Sequence, residues 1–275
     1  MQTSLLRLGA AATVVFSLNL AAQQSPSKSG QVEKRPLTLY QKLEAAGETG
    51  GPAPRRDLTG SWTGPLAPKL GEAPPLTPLG QARFKRNIPD VFSASTNDPW
   101  ATCDPLGMPR STTTETRGIA FAQMPNRIVI MTEHQKIWRS VWMDGRELPK
   151  NIGIRGGPDS TWYGYSVGHW EGDNTLVVNT AGVDDRTWLD RRGYPHSVEM
   201  RVEERYARLN HDTLEATITV DDPKIYTKPF VLATNRFKWI PGQEDEEQLC
   251  VPSDVIEYRR LIVVPAGQDQ ADGKK

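Results

Sequence analysis

The segment 182–197 holds the side chains of this 275-residue chain that are best suited to acid–base chemistry. His196 titrates near neutral pH, and a carboxylate from Asp185 or Asp190 can orient its ring or raise its pKa. Arg186 can hold a substrate carboxylate in a two-point grip or stabilise a developing negative charge. These four residues are therefore the candidate catalytic set.

The same charges also have a structural explanation. Asp184 and Asp185 can cap a turn and pair with Arg186, and Trp188 can anchor the segment in the core. Both explanations stay open from the sequence, although a connection that is long, charged and aromatic favours a functional site.

The strand before this segment supplies candidate ligand contacts. Side chains alternate along a strand, so Tyr163, Tyr165 and His169 share one face. The tyrosines can donate to a ligand carbonyl; the alternative is two amphipathic tyrosines at a barrel rim and a structural histidine. The opposite face carries three small residues that leave room for a ligand: Gly164, Ser166 and Gly168.

Glu204 and Trp188 complete the candidate substrate-binding residues. Glu204 lies between Val202 and Tyr206 on the mixed face of a later strand. A carboxylate flanked by apolar residues belongs to the mouth of a barrel or to a functional site. Trp188 offers an aromatic surface beside the candidate catalytic set.

From Ile119 onwards the chain is rich in β-branched and aromatic residues separated by short turns. Sequential hairpins without βαβ spacing predict an all-β, antiparallel up-and-down meander, and closure into a barrel removes exposed sheet edges. A two-sheet sandwich is the alternative. One short helix is predicted at 77–86, after a long irregular N-terminal arm. The predicted strands are 127–134, 136–143, 161–171, 175–181, 199–209, 213–221, 225–239 and 246–251.

Cys103 and Cys250 are the only two cysteines. An even pair in an exported protein predicts one disulfide, and two buried thiols are the alternative. Two cysteines so far apart, without neighbouring histidines, are a poor zinc signature.

Composition and the N-terminal segment indicate which partners and which compartment to expect. Lys and Arg number 33, as do Asp and Glu, so the charge balance favours neither nucleic acid nor an anionic membrane as a partner. Residues 1–22 follow the pattern of a secretory signal peptide, with an apolar run too short to span a membrane. We therefore expect a bacterial periplasmic or secreted protein without a membrane span in the mature chain. The expected domains are a flexible linker (23–56), a single barrel (57–265) and a disordered tail (266–275).

The common sequence motifs of catalytic serines, cofactors and metals are not expected in this chain. We expect no serine nucleophile elbow, no phosphate-binding glycine loop, no dinucleotide fingerprint and no paired metal-binding histidines. The expected protein therefore uses neither a cofactor nor a metal.

The chain resembles an exported, largely uncharacterised bacterial family with the pattern YGYSVGHWEGDTLVVET, then DDRTWLD, PHS and DDP…YTKP, and a CDPLG loop upstream. The resemblance runs from about residue 60 to residue 253. Asn179 departs from it, because the family pattern has an acidic residue there. The Gly-x-Trp start and the meander are also similar to lipocalin and calycin barrels, a likeness of architecture that implies no reaction. The matching residues are Tyr163, Gly164, Tyr165, Ser166, Gly168, His169, Trp170, Asp184, Asp185, Arg186, Trp188, Asp190, His196 and Ser197.

Three functions are compatible with these observations. The first is a cofactor-free acid–base enzyme of lyase, isomerase, hydratase or hydrolase type, acting on a small organic molecule in a barrel pocket. It predicts that His196→Ala abolishes turnover with little change in melting temperature. The second is a periplasmic, lipocalin-like binding or carrier protein for an apolar or aromatic ligand, with the charged segment as a lid. The third is a structural protein of the envelope. The partner in the first two is a small molecule, and the oligomeric state stays open.

Overall fold

The computed structural model describes residues 50–89, 93, 95–113, 117–240 and 248–267. The predicted signal peptide, most of the predicted linker and the tail after residue 267 lie outside these residues. The described chain is mostly β. Its strands are β1 (Gly60–Leu70), β2 (Gly118–Met124), β3 (Arg127–Thr132), β4 (Ile137–Trp142), β5 (Tyr165–Glu171), β6 (Thr175–Ala181), β7 (Arg201–Arg208), β8 (Thr213–Asp221) and β9 (Phe230–Trp239).

These nine strands form one closed barrel in chain order, and β9 pairs with β1 to close it. Every neighbouring pair is antiparallel except β4 and β5, which run parallel. A closed ring with an odd number of strands needs at least one parallel pair, because directions cannot alternate all the way round. The predicted closed, mostly antiparallel barrel is confirmed, whereas a purely up-and-down meander is wrong at this one junction.

The parallel junction is short. β4 and β5 pair only at Val141 with Ser166 and at Trp142 with Val167. Parallel neighbours need a crossover connection, and the segment 143–164 provides it. Residues 137–140 of β4 therefore have no strand pairing on the β5 side.

Side-chain alternation explains why these residues form barrel strands. Along β8, Leu214, Ala216, Ile218 and Val220 are buried, while the residues between them are partly exposed. Strands with one apolar face close into a barrel because closure buries that face and leaves no sheet edge. Gly172 has a φ of +61° in the turn between β5 and β6, a conformation that glycine adopts without strain.

The barrel interior contains two apolar clusters. The first cluster includes Trp62, Phe121 and Tyr206, and Phe121 and Tyr206 meet edge to face with ring centroids 5.2 Å apart. The second cluster includes Val202 and Val220 and lies at the end where β7 begins and β8 ends. Burial of this apolar surface supplies the main driving force for folding.

Two helices lie outside the barrel strands. The predicted N-terminal helix is confirmed as α1 (Pro78–Phe84), where Thr77 Oγ1 accepts a hydrogen bond from Gly80 N at 3.1 Å. The prediction of a last strand at 246–251 is wrong over its described part, because residues 248–251 contain only one isolated bridge. A helix follows instead, α2 (Pro252–Tyr258), and it continues through a π-helical turn (Arg259–Val263).

The predicted disulfide between Cys103 and Cys250 is present, with Cα atoms 5.4 Å apart. It joins the 3₁₀ turn Pro99–Thr102 to the start of α2. Arg110, after this turn, makes a two-point ion pair with Asp98 at 2.7 and 3.1 Å, and both side chains are buried. The long irregular loop is therefore held by a covalent link and by a buried ion pair.

Among the helices in the described part of the chain, none combines the length and the apolar character that a membrane crossing requires.

Candidate functional site

The charged segment 182–197 packs over one end of the barrel. Its apolar residues Val183 and Leu189 are fully buried in the second cluster, beside Val202 and Val220. Trp188 is 5% exposed, and its ring lies 5.9 Å from the Arg110 guanidinium carbon. These contacts agree with the structural alternative, in which the segment is anchored by its apolar residues.

The candidate catalytic charges of this segment are paired within the protein. Arg186 pairs with Asp184 at 2.7 Å and lies over the Trp162 ring at 4.2 Å. Asp190 is fully buried and pairs with Arg192 at 2.6 Å. The hydrogen bonds between Arg186 and Asp184 lower the pKa of the Asp184 carboxyl.

Asp185 is paired from outside the segment. Arg83, on α1, bonds to the Asp185 carboxylate at 2.9 Å and to the His196 carbonyl at 2.8 Å. Asp185 therefore helps to fix the segment against α1, and it is one third exposed.

His196 is completely buried, and both of its ring nitrogens bond to protein atoms. Nδ1 lies 3.1 Å from the Ser197 carbonyl, and Nε2 lies 2.8 Å from Thr187 Oγ1. A carbonyl only accepts, so in the neutral ring Nδ1–H donates to it, and Nε2 competes with the Asp184 carbonyl, 2.9 Å from Thr187 Oγ1, for the single Thr187 hydroxyl hydrogen. Burial lowers the pKa of His196, which favours this neutral form.

The candidate catalytic residues therefore do not face one shared open site. His196 has no ring nitrogen left for a ligand, Asp190 is occupied by Arg192, and Arg186 projects outwards as an exposed side chain. Their roles in acid–base chemistry stay predictions.

A cleft of about 340 Å³ opens at the parallel junction between β4 and β5. Trp138, Trp142 and Tyr165 lie on the outer face of these strands, and Tyr163 lines the cleft from the crossover. A volume of ~300–1,000 Å³ is typical of small-molecule sites, so this cleft has room for a compact ligand. Four of its twelve lining residues are aromatic.

Arg139 forms the floor of the cleft. It alternates onto the inner face of β4, its side chain is 7% exposed, and it also lines the cleft. One of its terminal nitrogens, Nη2, donates to the Glu204 carboxylate on β7. The other, Nη1, donates to Ser166 Oγ at 3.1 Å and to Thr180 Oγ1 at 3.3 Å. The side chain thus joins three strands across the inside of the barrel.

Glu204 is fully buried behind Arg139, inside the barrel. Tyr206 donates a hydrogen bond of 2.6 Å to the second Glu204 oxygen. Burial and the nearby carboxylate raise the pKa of Tyr206 well above its usual range, so its hydroxyl keeps its proton. Burial alone would lower the pKa of Arg139, but the electrostatic interactions with Glu204 and Tyr206 and the hydrogen bonds to them together outweigh it, and the pKa is raised. Arg139 therefore keeps its positive charge inside the barrel.

The rim of the cleft carries a second arginine. Arg146 lies over the Trp142 ring, with its guanidinium carbon 3.7 Å from the ring centroid, and pairs with Asp144 at 2.6 Å. Each arginine of the cleft is thus matched by a carboxylate, and the cleft has no excess of positive charge.

The structure places the predicted substrate-binding residues in different parts of the protein. Tyr163 and Tyr165 line the cleft, and Glu204 lies behind its floor. His169 projects from the outer face of β5 with 59% of its side chain exposed. Trp188 belongs to the buried segment over the end of the barrel.

The small-residue face of β5 is filled by protein. A methyl group on Gly168 would lie 2.8 Å from Val141 Cγ1 and 3.0 Å from Met143 Sδ. The space expected for a ligand at Gly168 is therefore occupied by side chains, whereas Gly164 does line the cleft.

Sequence reasoning missed the serine in this strand as a motif. Residues 164–168 read Gly-Tyr-Ser-Val-Gly, which fits the Gly-x-Ser-x-Gly pattern. A nucleophile elbow places the serine on a strained turn between a strand and a helix. Ser166 instead lies within β5, is 4% exposed and bonds to Thr180 Oγ1 at 2.8 Å. The prediction that the chain has no Gly-x-Ser-x-Gly pattern is therefore wrong, although this serine stands within a strand rather than on a turn.

Sequence reasoning also missed Arg139. The two tryptophans Trp138 and Trp142 suggest that their face of β4 is the buried one, but that face is outside. Arg139 is in phase with Ile137 and Val141 on the other face. The sequence signal that could have identified Arg139 is a charged residue on the same strand face as two β-branched residues.

Across the described ranges, no group of three or more histidine, cysteine or carboxylate side chains is arranged to hold a metal ion. No protein-family model, no curated protein and no solved structure matches the chain.

Proposed function

We propose that this chain binds a small aromatic molecule in the cleft between β4 and β5. The observation that carries the proposal is the cleft at the parallel junction, which is lined by four aromatic side chains and by the buried Arg139. Concave sites that combine aromatic side chains with placed polar groups are a usual form of small-molecule sites.

The aromatic side chains give the cleft its affinity for rings. Trp138 is 66% exposed and lines the cleft. Stacked and edge-to-face aromatic pairs stabilise by about 0.5–1.5 kcal/mol beyond the burial of area. A planar ligand against Trp138 and Tyr165 would gain both contributions, whereas the Trp142 ring already has Arg146 over it.

A second cavity supports the choice of this cleft. It has about 290 Å³, lies between residues 149–154 and the end of β6, and has no aromatic side chain in its lining. Its charged residues, Glu199 and Arg201, are exposed rather than held inside the barrel. It offers a ligand neither stacking surfaces nor a buried polar group.

Titration of the protein with a panel of small aromatic compounds, followed by tryptophan fluorescence and calorimetry, tests this proposal. We expect saturable binding to the wild type and at least tenfold weaker binding to Trp138→Ala. Trp100→Ala is the matched control, because Trp100 is 38% exposed but lies outside the cleft. Equal affinities for the two variants would reject the cleft as the site.

The second candidate is the acid–base enzyme acting on a small organic molecule. Ser166 favours it, because this residue is among those that line the cleft and its hydroxyl connects through Arg139 to the Glu204 carboxylate. The same panel, incubated with the protein and analysed for products, tests it. Product formation that is lost in Ser166→Ala but kept in His196→Asn would assign the chemistry to the cleft. The opposite pattern would assign it to the segment 182–197.

We further infer that the chain works in an oxidising compartment, such as the periplasm or the exterior of a bacterium. The disulfide Cys103–Cys250 supports this, because structural disulfides persist in such compartments and are rare in the cytosol. Mass spectrometry of the protein isolated from its own cell fractions tests it; a reduced pair in a cytosolic fraction would reject it.

A further inference from the structure

We propose that the ligand of the β4–β5 cleft presents an uncharged oxygen acceptor, such as an amide or ketone carbonyl, to Arg139. This inference rests on the proposed function and names the chemical class of its ligand. It follows from the hydrogen bonds and the charge balance at the floor of the cleft.

The floor has more hydrogen-bond donors than it uses. A guanidinium group carries five N–H bonds, and Arg139 directs three of them to Ser166, Thr180 and Glu204. A further side-chain hydrogen bond joins Arg139 to Tyr206, so among the described residues one N–H, at Nε, is left without a protein acceptor. Since Arg139 lines the cleft, this donor is available to a ligand oxygen.

The hydroxyl pair at the floor adds a further donor. Ser166 Oγ and Thr180 Oγ1 are 2.8 Å apart, and both accept from Arg139. Only one hydroxyl hydrogen can lie between the two oxygens, so the other has no acceptor among the described side chains. The floor of the cleft thus presents hydrogen-bond donors to which a ligand oxygen can bind.

The charge of the floor excludes an ionised ligand group. Arg139 is already neutralised by Glu204, which is fully buried. A ligand carboxylate beside this pair would be a second buried anion without its own counter-charge, which is costly in a site of low polarity. A ligand ammonium would meet the guanidinium itself. A neutral carbonyl satisfies the free donors without changing the charge.

Three probes that share a benzene ring separate the neutral, anionic and cationic ligand groups: benzamide, benzoate and benzylamine. Benzamide and benzoate have nearly the same shape and differ in charge. We expect the wild-type protein to bind benzamide about tenfold more tightly than benzoate at neutral pH, in ligand-observed NMR titrations, with benzylamine also weaker.

Glu204→Gln changes the net charge of the Arg139–Glu204 pair from zero to positive, and it is the decisive variant. It removes the negative charge and leaves Arg139 as an unmatched cation at the floor. We expect benzoate to become the tightest of the three probes, with an affinity for benzoate relative to benzamide that rises by about tenfold or more.

The double variant Arg139→Met/Glu204→Leu is the matched control for folding, because it removes both charges and leaves only neutral hydroxyl groups, such as that of Tyr206, without their former partners. We expect it to bind all three probes with equal affinity. Circular dichroism checks that each variant is folded.

The outcomes separate this inference from the proposed function. Benzoate binding to the wild type as tightly as benzamide, or a preference that is unchanged in Glu204→Gln, overturns the inference while aromatic binding stands. Absence of binding by every probe and by every compound of the aromatic panel overturns the proposed function as well.

Discussion

Arg139 and Glu204 form an ion pair inside the barrel, although 65 positions separate them in the chain. The pair lies at the same level as Ser166 and Thr180, and their hydrogen bonds connect β4, β5, β6 and β7. A polar layer of this kind is uncommon in a barrel interior, because charges are costly to bury unless they are paired and hydrogen-bonded.

Breaking this pair on one side should destabilise the fold strongly. Arg139→Met leaves the Glu204 carboxylate buried without its partner, so we expect the free energy of unfolding to fall by about 3–5 kcal/mol. Urea denaturation measures this value. The double variant Arg139→Met/Glu204→Leu should recover most of it, since neither charge then remains. A single variant as stable as the wild type would show that the pair is not buried in solution.

Truncation of His196 should affect stability as well as any activity. His196→Ala removes a fully buried ring and takes its side-chain partner from the Ser197 carbonyl, while the Thr187 hydroxyl keeps its bond to the Asp184 carbonyl. Losses of this kind cost about 1–3 kcal/mol for each polar group left unsatisfied, in addition to the cavity. We therefore expect a clearly lower melting temperature by differential scanning calorimetry. An unchanged melting temperature would instead agree with the expectation for an exposed catalytic histidine.

The pH dependence of stability should report on His196. Burial lowers its pKa below the ordinary 6.5, so at acidic pH the unfolded chain takes up a proton before the folded protein does. The free energy of unfolding should fall as the pH drops below 6.5, by up to about 1.4 kcal/mol per pH unit, until the folded ring is also protonated.

His134 is the second histidine to be tested in this measurement, because burial lowers its pKa too. Denaturation at several pH values should show a shallower slope for both His196→Asn and His134→Gln, and the sum of their effects should account for the wild-type slope. A slope that persists in the double variant would assign the effect to other groups.

Removal of the disulfide should destabilise the described fold. Cys103 and Cys250 are 147 positions apart, and the chain-entropy account gives about 5 kcal/mol for closing a loop of this length. We expect Cys103→Ser/Cys250→Ser to unfold at a lower urea concentration, with a loss of about 2–5 kcal/mol. The wild type under reducing conditions should behave in the same way; an unchanged midpoint in both would show that the link constrains little.

The predictions from local pattern succeeded where the neighbours in sequence decide the structure. The hairpin of β5 and β6, the alternation along β7 and β8, and the helix α1 with its Thr77 cap all follow from periodicity, turn residues and capping. In each, the interacting residues are close in sequence, so the signal is local.

The end of the chain shows where this reasoning failed. The residues before α2 contain β-branched side chains and predicted a strand, but the structure begins a helix at Pro252. A proline at the first helical position and the absence of an available strand partner favour the helix. Since β9 already pairs with β1, the closed barrel leaves no edge for a tenth strand.

The sequence by itself determined the class of this protein: a β-rich chain of alternating strands with one disulfide. Only the tertiary structure decided where its cleft lies, because the parallel junction arises from closing a ring of nine strands. It also placed Arg139 inside and Trp138 outside, and it buried His196 rather than exposing it. The physical reason is that alternation assigns residues to two faces, whereas the choice of the inner face depends on partners far away in the chain.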